Sequence, residues 1–457
     1  MLIDKQDTIV AIATAPGEGG IGIVRLSGGQ AEDLLRHYFE PAARTDRMTS
    51  HQLYYGHFRH PDGEMIDEVM AVVMRTPRSY TREDVVEVHC HGGLIVLRRI
   101  VDLFVESGAR LSRPGEFTLR AFLNGRIDLA RAEAVIDVIR SRSEAACRVA
   151  LGQMEGRLSR RIYYFRDVIS DLLAEVEAGI DFPEEELEVA DRQRLMDKAD
   201  TIEGEISSLL DSFESGRILR DGLSILIFGK PNVGKSSLMN ALLGEARTIV
   251  SDIPGTTRDT VEESLVLRGL PLRLIDTAGI RQSVDPIEAE GVQRAQAKVS
   301  GADLILLVID GSRELDADDR QALAACDSDR TLLVINKMDL GLRSLPGEFA
   351  KLPAVSVAAR EGQGINSLVE RLSGFFTVKG GGEGQETALL SDRRHREALL
   401  LARNALERFR ISLDEGYPTE FGALELRETL DALGEITGET APEDILEKIF
   451  TRFCIGK

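Results

Sequence analysis

The spacing of apolar residues changes along the chain, and each change marks a different kind of element. Between Met1 and about Leu119, runs such as Thr8–Ile12 and Val85–Val88 are separated by glycine turns, which predicts short strands in a compact α+β module. From Ala121 to Leu219 the period becomes helical. Ile162, Phe165, Ile169, Leu172, Leu173, Val176 and Ile180 recur at three- and four-residue steps and form one apolar stripe. Continuous apolar runs follow at Leu223–Phe228, Leu272–Ile275 and Thr331–Ile335, as expected of buried strands in a parallel sheet. Past the glycine-rich stretch Lys379 to Gln385, read as a linker, the helical period resumes through Leu399, Leu406, Phe409 and Leu413 to Ile449. The economical arrangement is an α+β module (1–119) and a helical domain (120–220 and 378–457) interrupted by an inserted α/β domain (221–377).

At 457 residues the chain exceeds one hydrophobic core, which agrees with several domains. Its formal net charge of -20 argues against broad nonspecific nucleic-acid binding, so an RNA partner must be met on a local basic patch or through another subunit. Cys90, Cys147, Cys326 and Cys454 lack paired metal spacing, and no secretory segment or long apolar run is evident. These features predict a cytoplasmic, reducing compartment and no membrane span.

The chemistry begins at Gly229–Ser237, GKPNVGKSS, directly after the run Leu223–Phe228. A strand, a glycine-rich turn and a helix start together make a phosphate-binding loop whose backbone N–H groups face a polyphosphate. Gly229 and Gly234 let the backbone wrap the phosphate, Lys235 neutralises it, and the Ser236 hydroxyl can hold Mg²⁺; Asn232, Val233 and Ser237 complete the expected contacts. Asn336, Lys337 and Asp339 follow the run Thr331–Ile335, and the Asp339 carboxylate can accept from N1–H and N2–H₂ of guanine, a pattern adenine lacks. Between these motifs, Asp276, Thr277, Ala278 and Gly279 suit a water-mediated Mg²⁺ contact and a γ-phosphate sensor. The segment Ser251, Asp252, Ile253, Pro254, Gly255, Thr256, Thr257, Arg258, Asp259 suits a first switch, with Thr257 the preferred Mg²⁺ ligand and Arg258 and Asp259 as candidate catalytic residues. Four elements in this order predict a Ras-like GTPase domain that binds GTP.

Ile280 stands where Ras-type enzymes carry the glutamine that orients the attacking water, and isoleucine makes no hydrogen bond. Glu288 and Glu290 are candidate replacements, weighed against an ordinary solvated acidic helix, and a bound monovalent cation can stand in for an arginine finger.

Three other patterns carry less. Gly17–Gly22 imitates a dinucleotide fingerprint, but it leads into the strand-like run Ile23–Leu26 and not into a helix. His89, Cys90 and His91 suggest metal ligands, yet a turn into Gly92–Gly93 is the simpler reading. The acidic run Glu184–Glu188 is read as a solvated helix entry.

Taken together, PGEGGIGIVRLSG, HCHGG, RPGEFTLRAFLNGRIDLARAEAV, GKPNVGKSS, GTTRD, DTAGI, LGEITGETAPEDIL and Cys454–Lys457 (CIGK) resemble the bacterial MnmE (TrmE) family of tRNA-modification GTPases across the whole chain. The resemblance implies an amino-terminal tetrahydrofolate-binding domain that forms a homodimer and a potassium-dependent G domain. It also implies a heterotetramer with the FAD-binding protein MnmG that places a carboxymethylaminomethyl group on C5 of the wobble uridine, U34, of certain tRNAs. Residue by residue, it implies K⁺ contacts at Asn232, Ser251, Ile253 and Thr256, Mg²⁺ contacts at Ser236 and Thr257, and water orientation by Glu288. Ala358, Ala359 and Arg360 form the fifth guanine motif, with alanine where serine is usual. Arg25, Glu83, Arg126 and Lys457 would bind a tetrahydrofolate derivative, in the 5-formyl or 5,10-methylene form. Arg126 stands where many members have lysine. Cys454 is either a thiol nucleophile beside the folate or a packing residue. A rival reading is a regulatory GTPase of ribosome assembly, like the Era and Der groups, although neither a terminal basic module nor a second G domain is apparent.

Overall fold

The computed structural model describes residues 7–43, 45–181, 189–245, 263–275, 301–380 and 390–457. They belong to two compact units. One comprises Met1–Ile136, Met154–Glu175 and Leu426–Lys457, the other Asp137–Gln153 and Val176–Glu425.

The first unit contains a seven-stranded sheet in the order β3-β4-β5-β6-β2-β1-β7. Its strands are β1 (Ile9–Ile12), β2 (Gly22–Ser27), β3 (Phe39–Pro41), β4 (Leu53–Arg59), β5 (Met65–Met74), β6 (Val85–Cys90) and β7 (Arg110–Leu111). All neighbours run antiparallel except β1 and β7. Alternate residues of β1, β2, β5 and β6, with the helices Ala31–Tyr38 and Leu94–Glu106, form a core around Phe58, Phe104 and Leu35. The glycine run Gly17–Gly22 does lead into β2, the geometry of a strand connection. Helix Glu116–Leu123 packs against helix Glu443–Phe450, with Leu119, Phe450 and Phe453 buried together. Gly438, at φ +92, shows how tight this region is, because a Cβ there would lie 2.7 Å from the Phe122 ring.

The second unit carries the inserted α/β domain, a six-stranded sheet in the order β13-β12-β11-β8-β10-β9. These strands are β8 (Leu223–Phe228), β9 (Glu263–Leu267), β10 (Leu270–Ile275), β11 (Leu304–Asp310), β12 (Thr331–Asn336) and β13 (Ala354–Ser356). All pair in parallel except β9 with β10. β11 is buried at all of its positions because both sheet faces are covered: Leu304, Leu306 and Val308 enter one core cluster and Leu307 and Ile309 another. The chain enters at the central strand β8, continues to β10 on one side and then crosses to β11 on the other. That reversal is the switch point at which open α/β sheets bind ligands.

Around the sheet, helix Phe213–Asp221 connects the helical segments to β8. Its Arg217 pairs with Asp303 at 2.6 Å, and the other Asp303 oxygen accepts from the Ser224 hydroxyl (2.6 Å) and N–H (2.9 Å). Arg220 pairs with Asp137 at 3.1 Å and with Asp392 at 2.7 Å, and Asp392 also caps helix Arg393–Asp414 by accepting from the Arg394 N–H. The stripe expected between Ile162 and Ile180 lies on helix Arg157–Asp181, with Ile162, Phe165, Ile169, Leu172 and Val176 fully buried. Helix Ile365–Gly380 continues into the expected linker, and the acidic run Glu184–Glu188 lies outside the described residues.

Candidate functional site

The carboxyl ends of β8 and β12 face a cavity of about 760 Å³. It is lined by Gly229, Asn232, Gly234, Lys235, Ser236 and Ser237 on one side and by Asn336, Lys337, Asp339, Ala359 and Arg360 on the other. The loop after β8 follows its sequence closely. Gly229 is at φ +141 and a Cβ there would sit 2.3 Å from the Val308 carbonyl oxygen, while a Cβ on Gly234, at φ +100, would sit 2.1 Å from the Asn336 amide nitrogen. Neither position admits another residue without moving a neighbour. Asn232 adopts φ +64, a left-handed conformation that asparagine tolerates better than most residues.

Helix Lys235–Glu245 starts at the loop, so its positive end faces the cavity, with Ser236 and Ser237 on its first turn. The Lys235 ammonium donates to the carbonyls of Gly229 and Lys230, both at 2.7 Å, and burial lowers its pKa. Val233 is fully buried and contributes backbone only, its carbonyl accepting from the Asn336 amide at 2.9 Å.

Asn336 therefore acts as a brace. Its amide nitrogen holds the phosphate-type loop, and its amide oxygen accepts from the Ala359 N–H at 3.0 Å, which fixes the third loop of the site. Lys337, at φ +64, donates to the Asn232 carbonyl at 3.0 Å and to Asp310 at 2.7 Å. Burial pushes the Asp310 carboxyl up, but Lys337 and the Ser312 hydroxyl and N–H outweigh it and leave its pKa below the ordinary value. Asp339 reaches the cavity from the short 3₁₀ turn Met338–Leu340. The Ala358 N–H donates to the Gln363 carbonyl at 2.9 Å in an isolated β-bridge, so this bridge and Asn336 both hold the loop that carries Ala359 and Arg360. The residues Ser251–Asp259, Asp276–Gly279, Ile280, Glu288 and Glu290 lie outside the described residues.

A second constellation lies in the first unit. The Arg25 guanidinium bridges Glu87, at 2.8 Å, and the carbonyl of Gly456, at 3.1 Å. It also lies 5.9 Å from the Tyr80 ring centre, while Arg126 lies 4.7 Å from the same ring and donates to the Tyr80 carbonyl. Glu83 accepts from Ser27 at 2.7 Å and from the buried Arg120 at 3.1 Å. Burial lowers the Lys457 pKa, and the neighbouring Arg25 lowers it further. Cys454 is exposed, and its carbonyl accepts from the Gly115 and Lys457 N–H groups, both at 3.4 Å. Gly456, at φ +90, lies so close to β1 that a Cβ would meet the Ile12 carbonyl oxygen at 2.4 Å.

Sequence reasoning missed Tyr80, Glu87 and Arg120, whose importance depends on which loop, strand and helix segments, distant in sequence, become neighbours. Burial pushes the Glu87 carboxyl up, but His89 and Arg25 more than offset it and leave its pKa below the ordinary value. His89 engages Glu87 at 3.2 Å, whereas His91 engages Asp67 at 2.7 Å, so the two histidines serve different carboxylates.

Comparison with known proteins bears on the chain as a whole. Residues 129–454 match the family described as the MnmE helical domain, and residues 8–126 match the GTP-binding protein TrmE N-terminus. The chain belongs to the MnmE family of tRNA modification GTPases. A tRNA modification GTPase MnmE of Syntrophotalea carbinolica is 61% identical over 99% of this chain and 100% of its own length. MnmE proteins of Geobacter metallireducens and Lactiplantibacillus plantarum are 51% and 43% identical, each over 99% of this chain and over 99% and 98% of their own lengths. The MnmE family thus accounts for the α+β module, the helical segments and the inserted domain of a GTP hydrolase in one chain. Among the described residues no helix is long and apolar enough to cross a membrane.

Proposed function

We propose that this MnmE-family GTPase hydrolyses GTP in a potassium-dependent manner and, with FAD-binding MnmG, forms the 5-carboxymethylaminomethyl group on U34 of certain tRNAs. The domain limits are 1–119 for the folate-binding and dimerising module, 120–220 and 378–457 for the helical domain and 221–377 for the G domain, and the protein works in the cytoplasm. The observation that most favours folate-linked chemistry over a pure switch is the Arg25 contact with the Gly456 carbonyl at 3.1 Å. A segment 431 positions away in sequence is drawn to the cation expected to meet the folate, beside Lys457.

In the G domain, Asp339 selects guanine by accepting from N1–H and N2–H₂, Asn336 holds two loops in register, and Lys235 and the loop N–H groups bind the phosphates. The hydroxyl of Ser236 on the first helical turn and the left-handed Asn232 at the loop crest fit a cation site beside the phosphates. Ser236 and Thr257 would hold Mg²⁺, and Asn232, Ser251, Ile253 and Thr256 would hold K⁺. When bound, these cations neutralise charge that develops on the transferring phosphoryl group. Glu288 orients the attacking water, with Arg258 and Asp259 supporting it; Thr277, Ala278 and Gly279 sense the γ-phosphate beside Asp276. In the other constellation Arg25, Arg126 and Lys457 provide cations for the folate glutamate tail, and Glu83 provides an acceptor for ring N–H groups. The protein acts as a homodimer in a heterotetramer with MnmG.

The test is nucleoside analysis of tRNA from cells lacking the gene, together with titration of reduced folate into the pure protein. Loss of 5-carboxymethylaminomethyluridine and tight folate binding are expected. Unchanged nucleosides with no folate binding would favour the ribosome-assembly alternative.

A further inference from the structure

The first variable residue of the phosphate-type loop has a structural partner outside that loop. The Lys230 ammonium lies 2.5 Å from an oxygen of Asp316 and 2.5 Å from an oxygen of Asp319. Both aspartates belong to the capping box of helix Ala317–Ala324, which follows β11: Asp316 accepts from the Asp318 and Asp319 N–H groups, and Asp319 accepts from the Asp316 N–H. Asp319 is 1% exposed. A carboxylate buried to that extent is costly without a counter-ion, and Lys230 supplies one.

The backbone of Lys230 has a separate task. Its carbonyl oxygen accepts from the Lys235 ammonium, and the preceding residue, Gly229, passes against the Val308 carbonyl of β11. The first half of the loop is therefore held at two points, by backbone approach to β11 and by an ion pair to the helix that follows β11. We propose that Lys230 is a positioning residue for nucleotide binding. Its side chain anchors the loop to the Asp316–Asp319 cap and so fixes the carbonyls and N–H groups that place Lys235 and receive the phosphates. The inference rests on the GTP reading of this cavity.

Such an anchor stabilises bound substrate and bound product alike, so its loss acts on binding more than on the chemical step. In the full-length protein, Lys230→Met is expected to raise the KM for GTP and the release rate of a fluorescent GDP analogue by about fivefold or more, with kcat within about twofold of the parent. Lys230→Arg should restore both constants, because its guanidinium can still meet the two carboxylates. Asp319→Asn should reproduce the Lys230→Met effect, and the double variant should be no weaker than the weaker single one, since both changes cut the same link. A GDP release rate within about twofold of the parent in Lys230→Met would overturn the proposal. So would a loss confined to kcat, which would make Lys230 a transition-state contact. If Lys230→Met does not fold, Asp316→Asn, at the exposed carboxylate, is expected to give a smaller increase in release rate, and no increase would overturn the proposal. Failure of the parent protein to retain the analogue at all would instead count against the GTP reading.

Discussion

At the scale of single residues, the nucleotide site depends on a few positions where one atom too many is not tolerated. Gly234→Ala is expected to abolish GTP binding while leaving folate binding in the other unit intact, because the new Cβ would displace the Asn336 amide that braces the loop. Calorimetric titration with each ligand checks both halves of that statement. The base contact proposed for Asp339 has a direct test: Asp339→Asn exchanges one acceptor for a donor and should lower GTP affinity by about 100-fold while improving xanthosine triphosphate binding. Competition between the two nucleotides is the measurement, and undiminished GTP preference would remove Asp339 from the base contact. The glycines were legible in the sequence because positive φ restricts the residue type narrowly, and the place of Asp339 in the cavity lining was legible because its motif follows a buried strand. Tyr80, whose ring meets both Arg25 and Arg126, was not, since nothing local to it announces which cations the fold will bring.

At the scale of elements, the inserted sheet was readable because parallel strands covered on both faces must be apolar at nearly every position, as in Leu223–Phe228 and Thr331–Asn336. The two-residue β7 and three-residue β3 offered no such run, and the order of the seven-stranded sheet depends on pairings distant in sequence. Ionic links between elements were equally hidden. Arg217 and Asp303 lie 86 positions apart, and together with Ser224 they secure the entry of β8 beside the start of β11. Burial pushes the Asp303 carboxyl up, but Arg217 and the Ser224 donors outweigh it and hold its pKa below the ordinary value. A depressed folded value means that this stabilisation is complete above the unfolded carboxylate pKa, about 3.9, and is lost as pH falls through the lower folded value. Hydrogen-exchange protection of β8 and β11, corrected for intrinsic rates, should therefore be steady from about pH 7 to 5 and decline below about pH 4. Asp303→Asn should lower that protection at neutral pH by about 2 kcal/mol and flatten its acid dependence.

At the scale of the whole molecule, the two candidate sites belong to different compact units, so their failures should be separable. Deleting Cys454–Lys457 removes the Gly456 carbonyl from Arg25 and is expected to weaken reduced-folate binding and abolish tRNA modification, with GTP hydrolysis near normal. Loss of all three activities together would point to misfolding of the chain. Conversely, hydrolysis should be faster in K⁺ than in Na⁺, and Asn232→Ala should erase the difference; equal rates in the two salts would remove the potassium reading. Glu288→Ala should keep nucleotide binding but slow hydrolysis by about 100-fold or more, as seen in single-turnover kinetics.

The contact of Gly456 with β1 also orders events in time. During synthesis the strands of the first unit emerge first, yet the segment that packs on Ile12 emerges only after the entire second unit has been made. The inserted sheet has its strands within 223–356 and can close while the ribosome is still at work, whereas the bond from Arg25 to the Gly456 carbonyl has to wait for the last residues of the chain. On the function proposed above, a chain cut short near its end would therefore retain nucleotide turnover while lacking the Arg25–Gly456 contact, so a nascent or clipped molecule would consume GTP before it could take part in modification.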